Sequence, residues 1–561
     1  MFEFDWVKHI RMAFAKSKAK LQFLSIRGAE YNIKTKYFLL FSRFFVTLSI
    51  TDDLDMKMNR ILVLFFALTI GCVNMGAQIV HPPVGDEGAA SDGSVKLKLI
   101  HKLQHFSARD KATYDENINS PKSVNIHPNG KKFYVNSLEG CTTVVYEMGT
   151  WKLLGVISHR IGGSERDLWA KPSGLFEFTH YSSKDRDLNV FDGKPVESTF
   201  SHRGRYLWVP YYRRSYDLNA QDPSAMAVID TQTDRIIKLF ETGPLPKMVA
   251  CSHDGKHIAV THWGNNTVGT LDISSENPDD WHYDHVYIVD YQLQLNFSLT
   301  EAVNRDSNTG YALRGTVFTP DDRYLFVSCM GGGGGIAVID MERQQYLGRV
   351  LGMRANIRHL VVKDDWLYLG SNAQGVVQRI KLDTFIAAAT SITGKATTVR
   401  GFEECTVMTG ARTIEASPSG RFIFAACNNA SKLCVVDTRQ MKMVASTAVD
   451  SYPVGLDISQ DGSIVITTSQ GRKGEGGGNA VDIFQVTYAE PEPAPEAIPE
   501  IDETQEENAV ADEVVSEDDD VEVVPLDEDE KPDYTLWYIG GGVLAVLLVA
   551  LLSATLRRKR H

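Results

Sequence analysis

Seven copies of one short pattern constrain this chain more than any other feature. A run of β-branched and aromatic residues, a Pro/Asp/Gly turn and a second such run recur as SVNIHPNGKKFYVNS from Ser123, ESTFSHRGRYLWVPY from Glu197 and MVACSHDGKHIAVTH from Met248. The series continues as GTVFTPDDRYLFVSC from Gly315, HLVVKDDWLYLGS from His359, TIEASPSGRFIFAAC from Thr413 and GLDISQDGSIVITTS from Gly455. Two-residue alternation around such turns marks antiparallel hairpins. Third strands such as AMAVID, IAVID and LCVVD follow, and often a fourth. Seven four-stranded meanders specify an all-β, seven-bladed β-propeller over residues 95–488. The seventh copy ends after its third strand, AVDIFQV from Ala480, so Val95–Leu103 is expected to supply the missing outer strand and close the ring.

The turns and strands SPSGR, FYVNS, VIDTQT and VVDTRQ resemble the repeat of the YVTN-type (YncE-like) seven-bladed propellers. That resemblance implies the fold. It leaves the activity open, because such propellers include binding proteins, lactonase-like enzymes and cofactor-bearing domains.

Sequence on either side of the propeller points to a membrane. Residues 58–77 have the charged, apolar, small-residue order of a signal peptide, with ILVLFFALTIG at their centre. Residues 1–57 before it show no sustained period and read as a non-native upstream extension, from a start codon placed too early. The net charge is −13, but Glu490–Asp533 carries 20 acidic residues against Lys531, a local charge of −19, which leaves +6 elsewhere. Residues 489–533 are therefore expected to be a disordered acidic stalk. Residues 535–556 hold no charge over 22 positions, enough for one transmembrane helix, and the basic tail 557–561 places the C-terminus in the cytoplasm. The propeller would then stand on the non-cytoplasmic, periplasmic side of a cell-envelope membrane.

Aligning the inner strands places Lys122, Lys247, Arg314, Arg358 and Arg412 at one position, with Val196 and Val454 in the other two copies. Five cations around one end of a central channel would attract an anion, or each could tether itself to the next blade. Long insertions at 104–120, 159–195, 211–224, 293–313 and 391–411 are expected on that same face. Aromatic and basic residues join them there: Tyr211, Tyr212, Arg213 and Arg214 after one second strand, His262 and Trp263 after the next, and Trp169, Phe176 and Tyr181 in the longest insertion. Rings beside guanidinium groups suit glycans, and in a secreted protein glycans come before nucleic acid; loop packing is the other reading.

Motifs for chemistry are scarce. There is no GxSxG elbow and no CxxCH haem site, and HYDH at His282–His285 lacks further ligands. The Gly331–Gly335 run lacks the lysine of a phosphate loop. His127, His202 and His253 share one hairpin turn in three copies and are expected at the surface of the opposite face. Cys427 and Cys434 flank one hairpin and could pair or remain buried thiols. No cofactor or metal is expected. The function read from the sequence is a membrane-anchored binding or scaffold protein for an anionic small molecule, a glycan or a protein. The alternative is a lactonase-like hydrolase using carboxylates, with or without a divalent metal, at the channel mouth, where the aligned position instead holds cations and Glu415 and Asp457 lie slightly deeper.

Overall fold

A computed structural model describes residues 79–294, 298–299, 310–471 and 479–494. The expected signal peptide, the transmembrane helix and most of the acidic stalk lie outside them. Among the described residues no helix is long and apolar enough to cross a membrane.

Seven antiparallel sheets follow one another in chain order. In blade one the strands are Pro121–Ile126, Lys132–Ser137, Thr142–Glu147 and Leu153–Ser158, numbered outward from the central channel. The innermost strands of the later blades are Thr199–Ser201, Pro246–Cys251, Leu313–Phe318, Ile357–Lys363, Ala411–Ala416 and Pro453–Ile458. Turn chemistry explains the repeat. The hairpin after each inner strand needs a residue with positive φ, supplied by Gly130 at 69° in blade one and by Asp322 at 55° in blade four. The recurring Asp at the end of the third strand fixes the next hairpin: Asp230 accepts from the Gln232 amide and Asp437 from the Arg439 amide, each at 2.8 Å.

A single blade cannot bury both its faces, so the apolar side chains gather between blades. Seven clusters fill the seven interfaces; Phe422, Phe424, Leu456 and Phe484 join blades six and seven, while Leu103, Phe133 and Val481 join blades seven and one. The ring closes as expected. Val95–Gln104 pairs along Ala480–Tyr488, from Val95 opposite Tyr488 to Gln104 opposite Ala480. Beside this seam Lys102 is buried, with its Nζ 2.5 Å from Asp450 and 3.5 Å from Asp482.

Three expectations change. The segment 391–411 does not lie on the loop face. It follows the helix Leu382–Thr390 and contains both Ala396–Thr398, which pairs parallel to the outer strand of blade four, and Glu403–Thr406, the outer strand of blade five. Apolar Leu382, Phe385 and Ala389 on that helix pack into the blade four–five core, which draws the insertion to the rim. His127 is buried rather than exposed, with its Nε2 3.1 Å from the Gly204 carbonyl of the next blade's turn. The acidic segment begins in contact with the propeller. Glu490 pairs with Arg421 and Arg439 at 3.3 and 3.2 Å, and Glu492 accepts from the Ser419 amide at 2.6 Å, because blade six presents basic and polar turns there. Glu490 and Glu492 thus lie on the hairpin-turn face, opposite the cation ring.

Candidate functional site: the mouth of the central channel

The aligned cations owe their position to a backbone irregularity. In blades one, three, four, five and six the register between the two innermost strands slips at the very start, between Pro121 and Ser123, Pro246 and Val249, Leu313 and Thr316, Ile357 and His359, and Ala411 and Thr413. Lys122, Lys247, Arg314, Arg358 and Arg412 each occupy that slip. A bulge inserts a residue, bends the strand and re-aims the inserted side chain. Blade seven has the same bulge between Pro453 and Gly455, filled by Val454.

Lys122 feels the charges of Arg412, Arg314 and Lys247, and Arg314 those of Arg412 and Arg358, although the five divide into two kinds. Arg314 is 3 % exposed and pairs with Glu197, Nη2 to Oε1 at 3.0 Å. Burial and the neighbouring Arg412 still push its pKa down to about 9. Lys247 sits in an aromatic cage, its Nζ 3.9 Å from the Tyr212 ring centre and 4.6 Å from that of Trp263. Arg358 donates from Nε to Asn356 at 3.3 Å. Lys122 and Arg412, by contrast, are 6 % and 5 % exposed. Lys122 forms no hydrogen bond or ion pair among the described residues, and the buried Arg412 Nε has no hydrogen-bond partner. Burial, then Arg412 and Arg314, drive the Lys122 pKa well below the ordinary lysine value.

Below the ring the channel encloses about 310 Å³, lined by Ser123, Asn125, Glu197, His359, Thr413, Glu415 and Asp457 among others. Burial, and then the charge of Asp457, push the Glu415 carboxyl well above the usual carboxylate range. Asp457 rises to about 7 through burial, although it accepts from the Ile126 and Ile458 amides at 2.6 and 2.8 Å. His359 falls to about 4 through burial and donates from Nδ1 to the Ile414 carbonyl at 2.9 Å. At neutral pH it is an uncharged wall residue.

Several expected ligand-facing residues belong to the scaffold instead. Tyr211 is fully buried, its hydroxyl 3.0 Å from His159 Nδ1. Arg214 is 1 % exposed, lies over the Trp169, Phe178 and Phe191 rings, and donates to the Leu188 carbonyl. Arg213 ties its own loop through the Leu218 carbonyl. His262 is wholly buried against Thr267 Oγ1 at 2.8 Å, and burial lowers its pKa to about 3. Phe176 packs edge-on against His262 and Tyr283, and Tyr181 against Tyr216. A long insertion must bury something to hold its shape, and these rings supply it.

Two features escaped the sequence reading. Glu197, next to Val196 where the cation series breaks, is the acid that answers Arg314. The gap at Val454, between Arg412 and Lys122, faces a wall thinned by Gly455; a Cβ there would lie 2.4 Å from Thr468 Oγ1 and 3.0 Å from the Lys122 carbonyl oxygen. Among the described residues no group of three or more His, Cys, Asp or Glu side chains converges as a metal site, and HYDH stays on one strand, His282–Ile288. Cys427 and Cys434 are buried thiols with their sulfurs 3.8 Å apart.

No protein-family model and no curated protein sequence matches the chain. Among solved structures, the chain is similar to Kuenenia stuttgartiensis hydrazine synthase at 14 % identity and a TM-score of 0.45, over 65 % of this chain and 95 % of that one. It is also similar to the β-propeller domain of Myceliophteria thermophila Cps50 (Swd1), at 11 % identity and a TM-score of 0.43, over 66 % of this chain and 97 % of that domain.

Proposed function

We propose that this propeller is a membrane-anchored, non-cytoplasmic binding protein that captures a small anion, or an anionic group of a glycan or protein, at the mouth of its channel. One observation carries the reading: Lys122 and Arg412 are nearly fully buried and adjacent to further cations, and among the described residues neither forms an ion pair, although the Glu197 carboxylate that bonds Arg314 also acts on Lys122. Uncompensated buried charge costs several kcal/mol, so a bound anion would relieve a cost already present in the folded protein. Membership of the YVTN-type propellers is part of the same proposal and rests on the repeat residues. Anchoring rests on residues 58–77, the uncharged stretch 535–556 and the basic tail.

The test is a thermal-shift titration with phosphate, sulfate, citrate and glucuronate at low and high salt, beside the double variant Lys122→Met/Arg412→Met. A ligand that binds only the folded state raises the melting temperature with occupancy. A salt-sensitive rise, absent from the double variant, is expected. No rise with any anion, or a rise that survives the substitutions, would overturn the site.

A second reading, a lactonase-like hydrolase, draws on Glu415 and Asp457 as an acid and base in the channel. Turnover of simple lactones that disappears in Asp457→Asn would favour it over binding alone.

A further inference from the structure

Seen along the channel axis, the unpaired charges are not spread round the ring. Arg412 opens blade six and Lys122 opens blade one, with the uncharged Val454 and Gly455 of blade seven between them. Glu415 lies three residues beyond Arg412 on the same strand, and Asp457 three beyond Val454 on the next. The strand rise puts these carboxyls roughly 10 Å or less below the two cations. Elsewhere round the channel, the positions matching Glu415 and Asp457 are Asn125, Thr199, Ala250, Val317 and Val361, all uncharged. One wall therefore carries two cations above two acids, while Glu197 is bonded to Arg314 and offsets part of the positive charge around Lys122.

We propose that this wall recognises a small zwitterion, its anionic group between Lys122 and Arg412 and its ammonium group between Glu415 and Asp457. The inference deepens the anion-binding reading and rests on it. Complementarity at both ends supports it. Burial in the channel holds both carboxyls toward their protonated forms, and the charge of Asp457 adds to the shift of Glu415; an ammonium between them would favour their ionised forms. Glu415 makes no side-chain hydrogen bond among the described residues, so its oxygens are available to accept one. Ser123, Thr413 and Gly455, next in sequence to Lys122, Arg412 and Val454 respectively, line the same cavity as Glu415 and Asp457, which has room for a short unbranched chain.

The experiment is isothermal titration calorimetry on the full chain with 4-aminobutyrate and 6-aminohexanoate, against butyrate and hexanoate of the same length. At least one amino acid is expected to bind about tenfold more tightly than its carboxylate partner, the gain from one charge-assisted hydrogen bond. That preference should vanish in Glu415→Gln, with carboxylate binding retained, and both should vanish in Lys122→Met. Equal binding of amino acid and plain carboxylate would overturn the zwitterion and leave anion capture standing. Binding of phosphate or citrate, but of none of the four probes, would also overturn it. Failure of every anion would remove both readings. The comparison between wild-type ligands needs no variant to fold.

Discussion

Two halves of one ring, built on the same bulge, have opposite electrostatics. On the blade two–four side each cation is answered: Arg314 by Glu197, and Lys247 by the rings of Tyr212 and Trp263. On the blade six–seven–one side Arg412 and Lys122 are as deeply buried and, among the described residues, form no ion pair, with the Glu197 charge reaching Lys122 only from its bond to Arg314. A repeated backbone device thus serves as a tether where its side chain has a partner and as a site where it does not. The difference lies in the neighbouring residues, Glu197 against Gly455 and Trp263 against Gln470, rather than in the cations.

Breaking the paired half should cost most. Arg314→Ala strands the Glu197 carboxylate, 13 % exposed, and is expected to destabilise the fold by about 3 kcal/mol, read as a lower midpoint in urea. If Arg314→Ala is neutral, the pair is not the tether described.

The acids under the unpaired half give a pH test. The folded pKa of Asp457, about 7, lies above its ordinary value of 3.8, so the unfolded chain loses this proton first. Stability from this group is present below pH 4, falls as pH rises through about 7, and is flat above. Asp457→Asn should remove a stability change of a few kcal/mol between pH 4 and 7, measured by denaturation across that range. An unchanged slope would show that the carboxyl is not held protonated.

Substitution in the unpaired half should have the reverse sign. Lys122→Met removes a buried charge and is expected to stabilise the fold by about 1 kcal/mol while abolishing the anion-dependent thermal shift. A destabilised Lys122→Met with binding intact would make it a tether like Arg314. The smallest effect belongs to the caged cation. Tyr212→Leu, at the partly buried ring of the cage, should cost under about 1 kcal/mol through the lost cation–π contact and leave anion binding within twofold.

Much of the architecture was legible in the sequence because propeller blades repeat their solutions. The turn residue with positive φ recurs in all seven blades and the Asp that ends the third strand in four, beside the alternating apolar face, so chance matches average out. The clasp was legible for a related reason: a blade lacking one strand and a lone strand before the first repeat can satisfy each other only by pairing. The helix Leu382–Thr390 and its rim strand Ala396–Thr398 broke the pattern. They occur once, and nothing in a repeat alignment says where a single insertion will find its apolar surface.

The site divides in the same way. Local pattern determined that five cations share a ring position, since the bulge that aims them recurs at fixed register. Only tertiary structure decided which of the five are already partnered, because a counter-charge such as Glu197 comes from a different blade, 117 residues from the Arg314 it pairs with. It decided too that Tyr211, Arg214 and His262 serve the scaffold, since burial depends on loops folding back over them. Side-chain spacing is a property of one strand, whereas desolvation and charge pairing belong to everything packed around it.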